Sequence, residues 1–424
     1  MMEFHKTVLD NGLRVVVSPQ KDNPAVTVLV LVEAGSKYED KKINGISHFL
    51  EHMCFKGTKR RPTALQISTE LDGIGALYNA FTGHEYTGYY AKVDKSHFDK
   101  ALDVVSDIYL NQVFDQAEID KERGPVTEEI NLTADTPMRK VMDNFVTLLY
   151  GDQPAGMTIL GPKENITSLS RADFVKYRSE HYVPSATVVV ISGAVDKDEA
   201  LDKVKGIFSV MENTPKKAKL AVKEKQSGPK LHAEQKALDQ THLVMGVRAY
   251  DRFDDRRYAL GVLTTALGGG MSSRLFHRVR EQMGLAYYVS AEADLYTDHG
   301  YLMARAGVGN DKLLDAVGAI AGEFGRLKDE PLSEQELKKV KDYMVGKLML
   351  GLETSDELAF FYGEQELLDK ELTKPDQLSE KIKAVSALEV WEVAQDIFED
   401  ENLNLALIGP HEDEAALRAA LKID

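Results

Sequence analysis

The stretch NGISHFLEHMCFKGT, residues 44–58, is where the reading of this chain begins. Wound into a helix, it places His48, Glu51 and His52 at i, i+3 and i+4, so two imidazoles and a carboxylate leave from one face. Phe49, Leu50, Met53 and Phe55 are apolar enough to bury the remainder. Two histidines one turn apart can share a Zn²⁺ ion, and a carboxylate between them can take a proton from water held there. A buried helix with three polar groups on one face needs partners for them, and a metal ion is such a partner. Asn44-Gly45 precedes the helix, and Ser47 stands where a cap is expected. Taken singly, each histidine reads as a surface or core residue; the set H-x-x-E-H is what argues for a metal.

The chain has 424 residues, 43% hydrophobic and 28% charged, which suits two or more domains with their own cores and argues against disorder. A formal net charge of -16 argues against a nucleic-acid partner. A solvated acidic surface accounts for that charge without a basic ligand. The single cysteine, Cys54, excludes an intrachain disulfide framework and suits a reducing compartment. Its place in an apolar run makes it a buried structural thiol. The N-terminus enters a strand pattern with no signal segment, and no apolar run reaches membrane-spanning length. A soluble, cytoplasmic protein with no membrane partner is therefore expected.

In chain order, residues 5–20 read as two short strands around the turn Asp10-Asn11-Gly12, and Val26–Val32 as a buried strand. The motif helix follows, then a helix from about Thr63 to Leu71. LYNAFTGHEYTGYYAKV, residues 77–93, alternates as two paired strands should. Residues 96–111 and 117–150 have helical apolar spacing; a further helix, SRADFVKYRSEHY, leads to a strand over Ala186–Gly193. After a helix to about Met211, the polar, lysine-rich segment 213–230 reads as a linker. The second half then repeats the element order: strand Thr241–Val247, helix Tyr258–Leu267, helix Arg274–Met283, two alternating aromatic strands, long helices and the last strand over 402–410. The fold class expected is α+β, built as two copies of one domain, each a mostly antiparallel sheet covered by helices, over 1–212 and 231–424.

Catalytic zinc usually has three protein ligands, so a third should come from another buried helix. DKERGPVTEEINLTADTP offers Glu122, Glu128 and Glu129. Glu122 and Glu129 are two turns apart and share a face, while Glu128 points away from it.

With these residues in place the chain resembles the insulinase/pitrilysin family of zinc metallopeptidases, in particular its short members similar to the β subunit of mitochondrial processing peptidase. That family pairs H-x-x-E-H with a glutamate about 76 residues on, in a segment similar to E-R-x-V-x-x-E-E/M. The resemblance implies one Zn²⁺ per chain held by His48, His52 and Glu129, with Glu51 as general base and Glu122 as a supporting acid. Gly124-Pro125 departs from the bulky residues usual after E-R, which keeps Glu128 in view as the alternative ligand.

The likeness continues through YNAFTGHEYTGYY, similar to the family's active-site strand, which implies peptide binding by Asn79, Ala80 and Phe81 along a strand edge. YGDQPAGMTILGP resembles a further family segment. LGGGMSSRLFHRVREQMGLAYYV is similar to its glycine-rich stretch followed by R-x-x-x-x-G-L-A-Y, which implies that Arg280 and Tyr287 bind substrate and help hold the oxyanion. His242 and His277 read as structural. The family's active unit is a clamshell of four such domains, of which this chain supplies half. A homodimer acting as a metalloendopeptidase on short or unfolded peptides is the implied assembly. The other reading within the resemblance is a non-catalytic core or peptide-binding subunit.

Overall fold

A computed structural model describes residues 3–423 apart from 370 and 412. The fold is α+β, with two sheets. The first holds β1 (His5–Val8), β2 (Arg14–Pro19), β3 (Ala25–Val32), β4 (Leu77–Thr82), β5 (Thr87–Asp94) and β6 (Thr187–Gly193) in the order β1-β2-β6-β3-β5-β4. The second holds β7 (Lys230–Gln235), β8 (Gln240–Ala249), β9 (Ala286–Leu295), β10 (Gly300–Gly309) and β11 (Asn404–Gly409) in the order β7-β11-β8-β10-β9. Each sheet has one parallel pair, β2 with β6 and β7 with β11; from there to β4 and to β9 the pairs are antiparallel, and in the first sheet β1 adds to β2 antiparallel on the other side. The repeat read from element order thus holds strand by strand: β6 answers β11, β3 answers β8, β5 answers β10 and β4 answers β9.

Compactness divides the chain differently from a single cut at the lysine-rich segment. One unit is Met1–Asn131, Met157–Leu220 and Met349–Pro375; the other is Leu132–Gly156, Ala221–Leu348 and Asp376–Asp424. Each unit therefore contains one helix encoded by the opposite half of the sequence. The reason is that both faces of both sheets are apolar. In β3, Val26, Val28, Val30 and Val32 join the core beneath the unit's own helices, while Leu29 and Leu31 face the helix Ser355–Leu368, where a Cβ on Gly363 would lie 2.8 Å from Leu31 and 3.3 Å from Leu29. In the second unit Leu243, Met245 and Val247 of β8 face one core. Val244 joins Ala406, Ile408, Tyr301 and Met303 in another, closed by Val141, Phe145 and Leu149 of the helix Pro137–Tyr150. A strand buried on both faces loses the period-two polar alternation, as AVTVLVLV does.

Two helix expectations are corrected. The span 117–150 is two helices, Gln116–Ala134 and Pro137–Tyr150, because Pro137 lacks the N–H that a continuous helix needs and is suited to a helix's first turn. Over 274–283 the α-helix gives way to a π-helix at Phe276–Gln282. The lysine-rich segment carries no regular secondary structure up to β7, which takes its last residue, Lys230. It is nevertheless held down in the first unit: Lys216 meets Glu33 at 2.6 Å, Lys217 meets Glu180 at 2.5 Å and Lys219 meets Glu85 at 2.9 Å. No helix among the described residues is long and apolar enough to cross a membrane.

Candidate metal centre

The motif forms a helix over Ile46–Cys54, with Ile46, Phe49, Leu50, Met53 and Cys54 in the core of the first unit and Glu51 and His52 on the partly exposed side. Its N-terminus is not capped by Ser47, whose hydroxyl instead pairs with the Tyr177 hydroxyl at 2.7 Å. Gly45 is the N-cap at φ 100°, and a Cβ there would sit 2.6 Å from the Leu160 carbonyl oxygen, so glycine is required twice over. The unpaired N–H groups of the first turn go to Glu39. Its Oε2 accepts from Gly45 N and Asn44 Nδ2, both at 2.8 Å, and its Oε1 accepts from Ser47 N at 2.7 Å. Burial pushes this carboxyl up, against the hydrogen bonds from Ser47, Asn44 and Gly45, which pull the other way. A buried acid at the positive end of the helix fixes how the motif enters the core.

The third candidate donor comes from the helix Gln116–Ala134, which runs through Gly124-Pro125 and is fastened by Arg123 to the carbonyl oxygens of Ile166 and Leu169. His48 Nε2 and His52 Nε2 lie 3.3 and 3.5 Å from Glu129 Oε2. His48, His52 and Glu129 form the one group of donors among the described residues close enough to hold a metal ion, their atoms all within 4.8 Å of one another. Glu128 is exposed and is not part of it. A tetrahedral ion with bonds of about 2.05 Å separates its ligands by ~3.3 Å, so two edges of the cluster already have the spacing that zinc imposes. The donor set of two imidazole nitrogens and a carboxylate oxygen suits that ion.

The surroundings fit as well. His52 Nδ1 lies 3.0 Å from Glu122 Oε1, and Lys56 Nζ lies 2.6 Å from Glu122 Oε2. Burial alone would raise the Glu122 carboxyl, but its hydrogen bonds to His52 and Lys56 hold it below the usual carboxylate range. An ionised carboxylate only accepts, so Nδ1 is the donor and Nε2 is presented to the cluster. For His52 itself burial works downward, and the bond to Glu122 with the charges of Glu51, Glu122 and Glu129 more than offsets it. His48 Nδ1 is buried with no hydrogen-bond partner among the described residues. Glu51 stands beside the donors, its Oε2 accepting from the Thr82 hydroxyl at 2.5 Å. Burial pushes the Glu51 carboxyl up, and the Thr82 bond and the neighbouring imidazoles act against that. Cys54 is fully buried, its thiol donating to the Tyr89 hydroxyl at 3.3 Å and pushed up to about 11 by burial, so it is structural. Thr82, Lys56 and Glu39 are the residues that sequence reasoning missed.

Asn79, Ala80 and Phe81 lie on β4, an edge strand paired on one side only, with β5. Asn79 is exposed, and Ala80 faces the core. The Phe81 ring packs at 5.6 Å from Phe360 and 5.8 Å from Tyr86, so its side chain is part of the fold.

Arg280 and Tyr287 belong to the second unit and are both exposed, the guanidinium 5.9 Å from the Tyr287 ring and 4.7 Å from that of Phe276. Each sits on an irregularity: Arg280 on the π-helix, and Tyr287 where β9 shifts register, since Tyr288 faces Gly307 and Ala286 faces Val308. Both features are single-residue insertions that re-aim side chains and recur at functional sites. Gly268 ends the preceding helix against β9, where a Cβ would lie 2.2 Å from Ala291 N.

Two imidazoles and a carboxylate beside a separate carboxylate make the donor set of a hydrolytic zinc centre. Residues 14–163, which contain the whole candidate centre, match the insulinase domain (peptidase family M16), and residues 168–344 match the domain described as peptidase M16 inactive domain. An uncharacterized zinc protease of Bacillus subtilis is 36% identical over 94% of this chain and 97% of its own. One of Streptomyces coelicolor is 32% identical over 97% of this chain and 91% of its own. The chain belongs to the insulinase family, peptidase family M16. The fold matches a crystal structure of a protease from Helicobacter pylori with a TM-score of 0.89 and 23% identity, over 96% of this chain and all of that one.

Proposed function

We propose that this protein is a zinc-dependent metalloendopeptidase that cuts short or unfolded peptides. The observation that carries the reading is the convergence of His48 Nε2, His52 Nε2 and Glu129 Oε2 at ligand spacing with Glu51 alongside. Bound there, zinc would supply Lewis acidity and bring the pKa of water from 15.7 towards ~7. Glu51 takes the proton of the attacking water and returns it to the departing amine. Glu122 fixes the ring of His52 so that Nε2 faces inward. The open edge of β4, the strand of Asn79, Ala80 and Phe81, takes the peptide backbone as an added strand. Arg280 and Tyr287 donate to the carbonyl oxygen as it gains charge. Because one chain carries both residue sets, the active assembly proposed is a homodimer in which the Arg280–Tyr287 pair of one half serves the metal centre of another.

The test is cleavage of a quenched peptide library by zinc-loaded protein, with chelator and with Glu51→Gln. Cleavage should need zinc, and Glu51→Gln should keep the metal and lose on the order of 10²–10⁴ in kcat. A Glu51→Gln protein as active as the parent ends the peptidase reading; an active monomer on native sizing ends only the dimer.

A further inference from the structure

The hydrogen bond to Glu51 Oε2 does not come from its own helix. It comes from Thr82, 31 residues away, the last residue of the edge strand β4. The Thr82 hydroxyl donates to Glu51 Oε2, and at 2.5 Å the contact is at the short end for an O–H···O bond. With Oε2 engaged in this way, Oε1 is the oxygen that can exchange a proton with water.

Thr82 is itself held firmly. Alternation along β4 puts it on the face of Tyr78 and Ala80, which pack into the core with the motif helix. Across the ladder it pairs with the fully buried Thr87, whose hydroxyl donates to the Ala34 carbonyl oxygen at 2.9 Å. A β-branched side chain on a paired strand has little χ1 freedom, so the hydroxyl is a fixed point. The same strand presents the unpaired edge on which an extended peptide would lie.

The geometry points to Thr82 as a positioning residue: its hydroxyl holds the Glu51 carboxylate in one orientation and ties it to the strand that seats the substrate. This inference rests on the peptidase reading above and adds a residue to it. Adding a peptide to the β4 edge stiffens the strand end that carries Thr82, so alignment of the scissile bond and of the base are set by one element. Misplacing a catalytic group by about 1 Å costs on the order of 10²-fold in rate.

The experiment compares zinc-loaded full-length protein with Thr82→Val, which keeps the shape and removes the donor, and with Thr82→Ser, which keeps the donor. Thr82→Val should lower kcat about 30–100-fold while leaving KM within about threefold, and Thr82→Ser should recover to within about fivefold. Zinc affinity by chelator competition should be the same in all three. In a Glu51→Gln background, Thr82→Val should cost nothing further, since the group it holds is gone. Affinity for an uncleaved peptide, read by fluorescence anisotropy on Glu51→Gln protein, should not change when Thr82→Val is added.

A Thr82→Val protein with parental kcat overturns the inference and leaves the peptidase reading standing. So does a loss confined to KM or peptide affinity, which would make Thr82 an ordinary strand residue, or a failure of Thr82→Ser to rescue. Parent protein without zinc-dependent cleavage overturns both.

Discussion

His52 donates from Nδ1 to Glu122 Oε1 across 3.0 Å, and Glu122 Oε2 meets the Lys56 ammonium at 2.6 Å. The His52 nitrogen that faces His48 and Glu129 is thus set from behind by a carboxylate that is itself anchored. Removing such a partner typically weakens metal binding ~10–100-fold, because the ring loses its tautomer preference and its orientation. Glu122→Ala should show a loss of that size in zinc affinity by competition with a fluorescent chelator. Glu122→Gln, which keeps an acceptor oxygen, should show less. Unchanged affinity in Glu122→Ala would remove Glu122 from the centre.

The two neighbouring glutamates differ sharply in what surrounds them. Glu129 Oε2 lies 3.3 Å from His48 Nε2, whereas Glu128 is exposed on the same helix. Glu129→Ala should therefore cost more zinc affinity than the ~10–100-fold expected of a supporting residue, and Glu128→Ala should stay within about twofold of the parent. The reverse order would mean that the helix is turned by one residue at Gly124-Pro125.

The element order was legible because helical and strand periodicities are local; helical spacing left Glu122 and Glu129 on one face, and the family likeness was what singled out Glu129 to join H-x-x-E-H. What covers the second face of each sheet was not. Amphipathic spacing says that Pro137–Tyr150 and Ser355–Leu368 each have an apolar side, but not which sheet that side meets. The cap at the motif helix escaped for a related reason. An acid six residues before Gly45 reads as solvated, and only packing shows Glu39 to be 2% exposed and aimed at the helix end. Thr82 sits inside a stretch whose likeness drew attention to Asn79, Ala80 and Phe81, and no spacing rule joins it to Glu51. The π-helix and the β-bulge carry the same residue types as regular elements, so composition cannot reveal them.

Glu85, at the turn between β4 and β5, is 2% exposed and bonded to Lys37 Nζ at 2.8 Å and Lys219 Nζ at 2.9 Å. Burial would raise this carboxyl, but the two ammonium groups bring it down to about 2. A folded-state pKa below the ordinary value of 4.5 gives stabilisation that is complete above pH 4.5 and is lost as pH falls towards about 2. The shift corresponds to roughly 3 kcal/mol at neutral pH. Glu85→Gln should lower the urea midpoint at pH 7 and flatten its decline over this acid window, as it leaves two cations without their counter-charge. An acid limb identical to the parent's would show that the trio does not govern acid stability.

Arg280 and Tyr287 are exposed and close to each other, and both stand on backbone irregularities of the second unit. Exposed side chains with no core role are cheap to change: Tyr287→Phe should move stability by no more than about 0.5 kcal/mol. If the phenol donates to the carbonyl oxygen only as charge develops there, the loss falls on kcat, by about 10²–10³-fold for a single donor, with KM and zinc affinity near the parental values. Shortening the π-helix by one residue, for example by deleting Gln282, should return it to α-helical winding and turn Arg280 away from Tyr287. That variant should fold, keep its zinc and lose activity in step with Arg280→Ala. A deletion variant with full activity would show that the π-helix does not set the aim of Arg280. A Tyr287→Phe protein with unchanged kcat would mean that the oxyanion is held without it.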